Sequence, residues 1–319
     1  MIYVLYAICA GLMVWLATKA SVYVDLLDKK TNLSGAFIGG VMLSAVTSLP
    51  ELFTSLTSTI YLDKPGLCIG NILGSDLFNL AVLAVLTLVF FKGYSVAKVA
   101  KSHIIVAVSV IIVYILMILN WLGVLTGGLK FGAYTISIMT ILIILLYSFS
   151  VKHMAGDKSE TADEEVDSKL TVKQIVTRFI LVSIGIVVVS ILTTNFTDKI
   201  AADLGLGAGI AGALFLGVAT SLPELVSTTA LFKIKNYNVG IGNIIGSNIF
   251  NFMILSVADI CYFGNKSVFD YSDPKNINLL VFGLVAHTAM ILGFKFKNKA
   301  TQAVSALIVI ASYVAFLVV

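Results

Sequence analysis

Charge is what this chain has least of. Only 12% of its 319 residues are Asp, Glu, Lys or Arg, against 59% hydrophobic, and the mean hydropathy is +1.02. A soluble domain carries about 25% charged residues. The composition therefore excludes an ordinary soluble fold and points to an all-α polytopic membrane protein. Cysteine is scarce too. Cys9, Cys68 and Cys261 lie in or beside apolar segments without metal-ligand spacing, so they read as packing residues and not as a disulfide framework. Met1 to Ala17 holds no charge, and Lys19 is the first charged residue. That stretch lacks the basic start of a cleaved signal peptide and fits a first spanning helix. There is no His-Glu-x-x-His motif and no convincing nucleophile–base pair. An enzyme is not expected, nor a cofactor, nor nucleic acid as a partner.

What the chain does have is long apolar runs. Segments able to cross about 30 Å of hydrocarbon fall at 2–24, 35–61, 66–91, 102–120, 131–151, 173–195, 205–232, 237–262, 276–294 and 301–318. The one long polar stretch, 152–172, contains Asp157, Glu160, Asp163, Glu164, Glu165 and Asp167. It divides the chain into five-span halves, 1–151 and 173–319. Its composition reads as a solvated linker, and it lacks the ligand spacing of an EF-hand loop. Because five is odd, the second half enters the membrane from the opposite side. Inverted repeats of this kind are a mark of secondary transporters. Fifteen Lys or Arg residues, among them Lys29, Lys101, Lys173 and Lys235, lie in one set of loops; only Lys64, Lys130, Lys199, Lys266 and Lys275 lie in the other. The excess predicts a cell-membrane protein with linker 152–172 in the cytoplasm and both termini outside.

The halves share more than layout. Thr47-Ser48-Leu49-Pro50-Glu51-Leu52 recurs as Thr220-Ser221-Leu222-Pro223-Glu224-Leu225, 173 residues later. Gly70-Asn71-Ile72-Leu73-Gly74-Ser75, with Phe78-Asn79, recurs 172 residues on as Gly242-Asn243-Ile244-Ile245-Gly246-Ser247, with Phe250-Asn251. Two blocks in one order make an internal repeat. Each copy puts a Glu inside an apolar segment, where an unpaired charge is costly. Pro50 and Pro223 cannot donate a backbone hydrogen bond and clash with the carbonyl four residues back. Spans 2 and 7 should therefore break just before each Glu. Carbonyl, hydroxyl and carboxylate oxygens together suit a hard cation such as Ca2+ or Na+, and the restarted helix favours its Glu carboxylate. Asn71, Ser75 and Asn79 form one polar stripe, as do Asn243, Ser247 and Asn251. Gly70, Gly74, Gly242 and Gly246 would let another helix approach closely. A plain proline kink with polar glue between helices is the bland alternative; an identical hexapeptide in both halves argues against it. Asp76 could face the polar core or pair with a hydroxyl. Asp259 is expected at the interface, and His103 and His287 at helix ends or in packing.

At these residues the chain resembles the cation/calcium antiporter superfamily, especially the prokaryotic sodium/calcium exchangers. The resemblance extends over the whole layout and is most specific at 39–79 and 212–251. It implies that Glu51 and Glu224 are central ligands shared by Ca2+ and Na+. Thr47 and Thr220 would add oxygens, as would the backbone carbonyls of Ser44 and Gly217. Ser48 and Ser221 match the motif serines, Ser75 and Ser247 would complete flanking Na+ sites, and Asn79 and Asn251 would line the middle. The chain departs from the pattern at Asn251, where many exchangers carry Asp; Asp76 could replace that charge.

The expected function is antiport of Ca2+ against Na+. An empty site with two facing carboxylates is unstable until cations or protons neutralise it, which couples one ion to the other. The resemblance implies that spans 1 and 6 slide against the other helices. Exchange against H+ is the nearest alternative, since the same Glu residues could carry protons. A cation channel is the alternative from another class, though a two-fold repeat can build its site within a monomer. Membrane lipid and inorganic cations are the expected partners.

Overall fold

The computed structural model describes residues 1–28, 35–97, 99–131, 134–156, 170–263, 266–271, 274–296 and 298–318. Most of the acidic linker lies outside these, as do Lys29 and Lys30. Helix α1 spans Ile2–Asp28. The next segment is helical in two pieces, α2 (35–47) and α3 (49–61), each containing one wider π-helical stretch. Then come α4 (Pro65–Val89) and α5 (Lys101–Trp121). Strands β1 (Gly128–Phe131) and β2 (Tyr134–Ser137) precede α6 (Ile138–Ala155). The rest is α7 (Val172–Leu204), α8 (Ala208–Thr220), α9 (Leu222–Lys233), α10 (Tyr237–Cys261), α11 (Pro274–Lys295) and α12 (Lys299–Val318). Among the described residues, eight helices are long and apolar enough to cross a membrane, and the α8–α9 pair, bent by 41°, makes a ninth if it is one span.

Two expectations about these elements need correction. The span expected at 131–151 begins only at Ile138. The preceding residues pair as an antiparallel hairpin in the register Gly128↔Ser137 to Phe131↔Tyr134. Aromatic and β-branched residues at Phe131, Tyr134, Thr135 and Ile136 favour strand over helix there. Ser137 then caps α6 by accepting from the Met139 amide at 3.2 Å. The span expected at 173–195 continues to Leu204. A capping box of Thr171 and Gln174 starts it, and Gly205, at φ +64°, ends it in a left-handed conformation. Polar residues past Asn195 end the apolar run without ending the helix.

Helices α4 and α10 form the buried centre, and α1 packs along α7 at one side. Apolar residues such as Val4, Ile8, Trp15, Leu181, Ile184 and Val188 point outward from that pair. Such a surface suits lipid. Around the centre, each half holds the other's broken helix. Gly70 and Gly74 of α4 lie against the backbones of Gly209 and Ala213 in α8. Gly246 of α10 lies against Gly40 in α2. These contacts are backbone to backbone, and they bring both helix breaks to the middle of the bundle.

Candidate cation site

Both breaks fall at the motif serine. Ser48 (φ −90°, ψ 10°) and Ser221 (φ −88°, ψ 2°) leave helical geometry, and the helices restart at Leu49 and Leu222 with proline in the first turn. Glu51 and Glu224 thus sit in the first turns of α3 and α9, where the positive end of the helix dipole favours a carboxylate.

The two acids are buried completely and held across the halves. Glu51 Oε1 accepts from Ser221 at 3.0 Å and from Ser75 at 3.5 Å. Glu224 Oε1 accepts from Ser48 at 3.0 Å and from Ser247 at 3.2 Å. Thr220 lies beside Glu51, and Thr47 beside Glu224. Each carboxylate is therefore gripped by a hydroxyl from its own half and by the motif hydroxyls of the other, in a pseudo-two-fold arrangement. The Gly217 carbonyl accepts from Ser75 at 3.2 Å; the Ser44 carbonyl accepts from Thr47 at 3.3 Å.

The asparagines divide into two kinds. Asn71 donates to Thr54 and Ser55 at 3.1 Å each and accepts from Thr220 at 3.3 Å. Asn243 donates to Ser227 at 3.1 Å and Thr228 at 3.0 Å and accepts from Thr47 at 3.3 Å. These two brace the broken helices. Thr54, Ser55, Ser227 and Thr228 were not singled out from the sequence, although hydroxyls three and four residues after each Glu are themselves part of the repeat. Asn79 and Asn251 behave otherwise. Asn79 Nδ2 donates to Asn248 at 3.0 Å, Asn251 Nδ2 donates to Asp76 at 2.9 Å, and both carbonyl oxygens are left free.

Among the described residues, twelve buried side-chain nitrogen or oxygen atoms have no hydrogen-bond partner. Four are acceptors in this one cluster, Glu51 Oε2, Glu224 Oε2, Asn79 Oδ1 and Asn251 Oδ1, while Asp76 Oδ2 lies beside the Tyr114 hydroxyl. Buried acceptors are rarely left unpaired, and oxygen atoms without donors are what a hard cation takes as ligands. No group of three or more His, Cys, Asp or Glu side chains suited to a metal occurs among the described residues. The ligand chemistry here is two carboxylates with neutral oxygens.

Three residues differ from expectation or sharpen it. Asp76, facing the polar core, holds an amide. Asp259, near the end of α10 as expected, is fully buried in protein. Its carboxylate accepts from the Ser137 amide, the Thr140 hydroxyl, the Ser267 hydroxyl and the Val268 amide, fastening the hairpin and the 268–270 turn to the end of α10. His287 is more than a packing residue, because its Nε2 meets Asn248 at 3.1 Å. His103 lies near the start of α5 as expected, against Asn238.

The family model for sodium/calcium exchanger proteins matches residues 1–152 and 175–319. The chain belongs to that family. By that membership the protein is a cation/calcium antiporter. It is 30% identical to an uncharacterized membrane protein of Methanocaldococcus jannaschii over 70% of each chain. It is 24% identical to the putative antiporter CaxA of Alkalimonas amylolytica over 78% of this chain and 77% of the other. Among solved structures, the sodium-calcium exchanger NCX_Mj soaked with Na+ and Sr2+ has the same fold, at 21% identity and a TM-score of 0.65, covering 100% of this chain and 99% of that one.

Proposed function

We propose that this protein exchanges Ca2+ for Na+ by alternating access. The single observation that carries the reading is the reciprocal pair Glu51–Ser221 and Glu224–Ser48, with unpartnered carboxylate oxygens between the two halves. Glu51 and Glu224 match the charge of one Ca2+. Thr47, Thr220, Ser48, Ser221, Ser75, Ser247, Asn79, Asn251 and the carbonyls of Ser44 and Gly217 supply the neutral oxygens. Asp76 adds a third acid to the region.

Leaving a buried carboxylate without a counter-charge costs several kcal/mol. The empty site therefore cannot reorient at a useful rate, and an outgoing Ca2+ must be replaced by Na+. In this reading the chain is a monomer of ten spans in two inverted halves, 1–151 and 173–319. The linker 152–172 is cytoplasmic and both termini are outside. The α1–α7 pair, which packs against the broken helices from one side, is the part that slides.

The test is Ca2+ uptake into proteoliposomes under one imposed gradient at a time. Uptake driven by an outward Na+ gradient, and lost in Glu51→Gln and in Glu224→Gln, is the expected result. Uptake driven only by a pH gradient would replace Na+ with H+ as the counter-ion, and large single-channel currents would refute exchange altogether.

A further inference from the structure

The two asparagines at the middle of the site have a chemical ambiguity that the two glutamates lack. A carboxylate offers oxygen at both ends, whereas an amide offers oxygen at one end and N–H donors at the other. Only one rotamer can serve a cation. The residues behind Asn79 and Asn251 fix that choice.

The Gly283 carbonyl can only accept, so the proton on His287 Nδ1 points to it at 2.9 Å. In the neutral ring Nε2 is then an acceptor, and it takes an N–H of Asn248 at 3.1 Å. The backbone carbonyl of Asp76, again acceptor only, takes the other N–H of Asn248 at 3.1 Å. Both hydrogens of that amide are thereby assigned. Asn248 Oδ1 can only accept from Asn79 Nδ2, at 3.0 Å. Asn79 Oδ1 is left free. On the other side, the Asp76 carboxylate accepts from Asn251 Nδ2 at 2.9 Å, and Asn251 Oδ1 is left free. Tyr114 packs over His287 at 5.0 Å between ring centroids and edge-on against Phe252 at 5.2 Å, closing the network from α5.

We propose that Asp76, Asn248 and His287 are positioning residues that lock Asn79 and Asn251 with their oxygens toward the transported cation. The inference rests on the cation site proposed above and gives Asp76 a role through Asn251, without contact with the ion. The repeat is used asymmetrically: position 76 is an acid where position 248 is an amide, and the two together set both rotamers.

Equilibrium binding of radiolabelled Ca2+ to the purified protein in detergent tests this. Partners that orient ligands typically cost about 10- to 100-fold in metal affinity when removed, and a loss in that range is expected for Asp76→Leu. A carboxylate has no wrong end, so adding Asn251→Asp to Asp76→Leu should restore affinity. Adding Asn79→Asp instead, which returns the same charge at the other position, should not. Wild-type affinity in Asp76→Leu would overturn the inference. Equal rescue by both second substitutions would overturn it too, because Asp76 would then supply charge and not orientation, as would failure of both in folded protein. If Asp76→Leu yields no folded protein, Asn248→Leu carries the same test with the rescues exchanged: Asn79→Asp restores and Asn251→Asp does not. Glu51→Gln is the reference. Wild-type Ca2+ binding in that variant would refute the site itself, whatever the Asp76 variants do.

Discussion

Gly246→Ala puts a single methyl group where two backbones touch. A Cβ built on Gly246 would stand 2.6 Å from both the Cα and the carbonyl carbon of Gly40. Carbon atoms rest at about 3.5–4.0 Å, so α2 would have to retreat by about 1 Å. No side chain can rotate aside, because the obstacle is main chain. Overpacking of this kind costs about 1–3 kcal/mol. The displaced helix carries Ser44 and Thr47 and leads into Glu51, so the cost should appear in ion binding as well as in stability. Gly11→Ala is the control. Nothing lies within 4 Å of its Cβ position, in the middle of α1. There alanine should stabilise the helix by up to about 1 kcal/mol. Thermal unfolding in detergent, together with radiolabelled Ca2+ binding, reads both effects. Gly246→Ala should melt below wild type and bind Ca2+ more weakly; Gly11→Ala should do neither. Wild-type melting and affinity in Gly246→Ala would refute the close crossing of α2 and α10.

Other expectations follow from the same contacts. Asn71→Leu and Asn243→Leu each remove three hydrogen bonds; at about 0.6 kcal/mol per bond inside a membrane protein, each should lose about 2 kcal/mol. The pseudo-two-fold predicts that the two losses match, and melting points that differ widely would count against it. Asp259→Asn keeps the shape of the carboxylate but turns a donor toward part of a set of four donors. With about 1–3 kcal/mol for each buried group left unsatisfied, it should lower the melting point clearly while leaving Ca2+ affinity unchanged. Lys64 pairs with Asp198 near the surface, where ion pairs contribute only about 0–1 kcal/mol. Lys64→Gln should therefore change neither melting nor transport much, and a strong transport defect would mean that this pair does more than tie two chain segments together.

The part of the site written twice was the part most legible in the sequence. The repeated Thr-Ser-Leu-Pro-Glu-Leu carries its own break, because proline dictates where a helix stops, and the breaks occur at Ser48 and Ser221. The glycines of the second block announced close crossings, and Gly74 and Gly246 make them. What stayed hidden depends on partners distant in the chain. The partners of Asp259 were hidden because nothing near it in sequence reveals that the amides of Ser137 and Val268 converge on it. His287 gave no signal because its connection to Asn79 runs through Asn248. Thr54 and its counterpart in the repeat, Ser227, were masked by a common habit. Hydroxyls on apolar helices usually bond back to their own backbone, as Thr54 also does to the Pro50 carbonyl and Ser227 to the Pro223 carbonyl, at 2.8 Å each. The hairpin at 128–137 was missed because hydropathy cannot separate an apolar strand from the start of an apolar helix.

The exchange of broken helices between halves also constrains how the molecule is made. While the ribosome is still adding residue 160, the glycine groove of α4 has no occupant and Glu51 has no Ser221. The newborn N-terminal half must wait in the bilayer with an acid and a row of amides unsheltered until α8 arrives. Split into two co-expressed pieces at the linker, the protein should still assemble, but neither piece should be long-lived without the other.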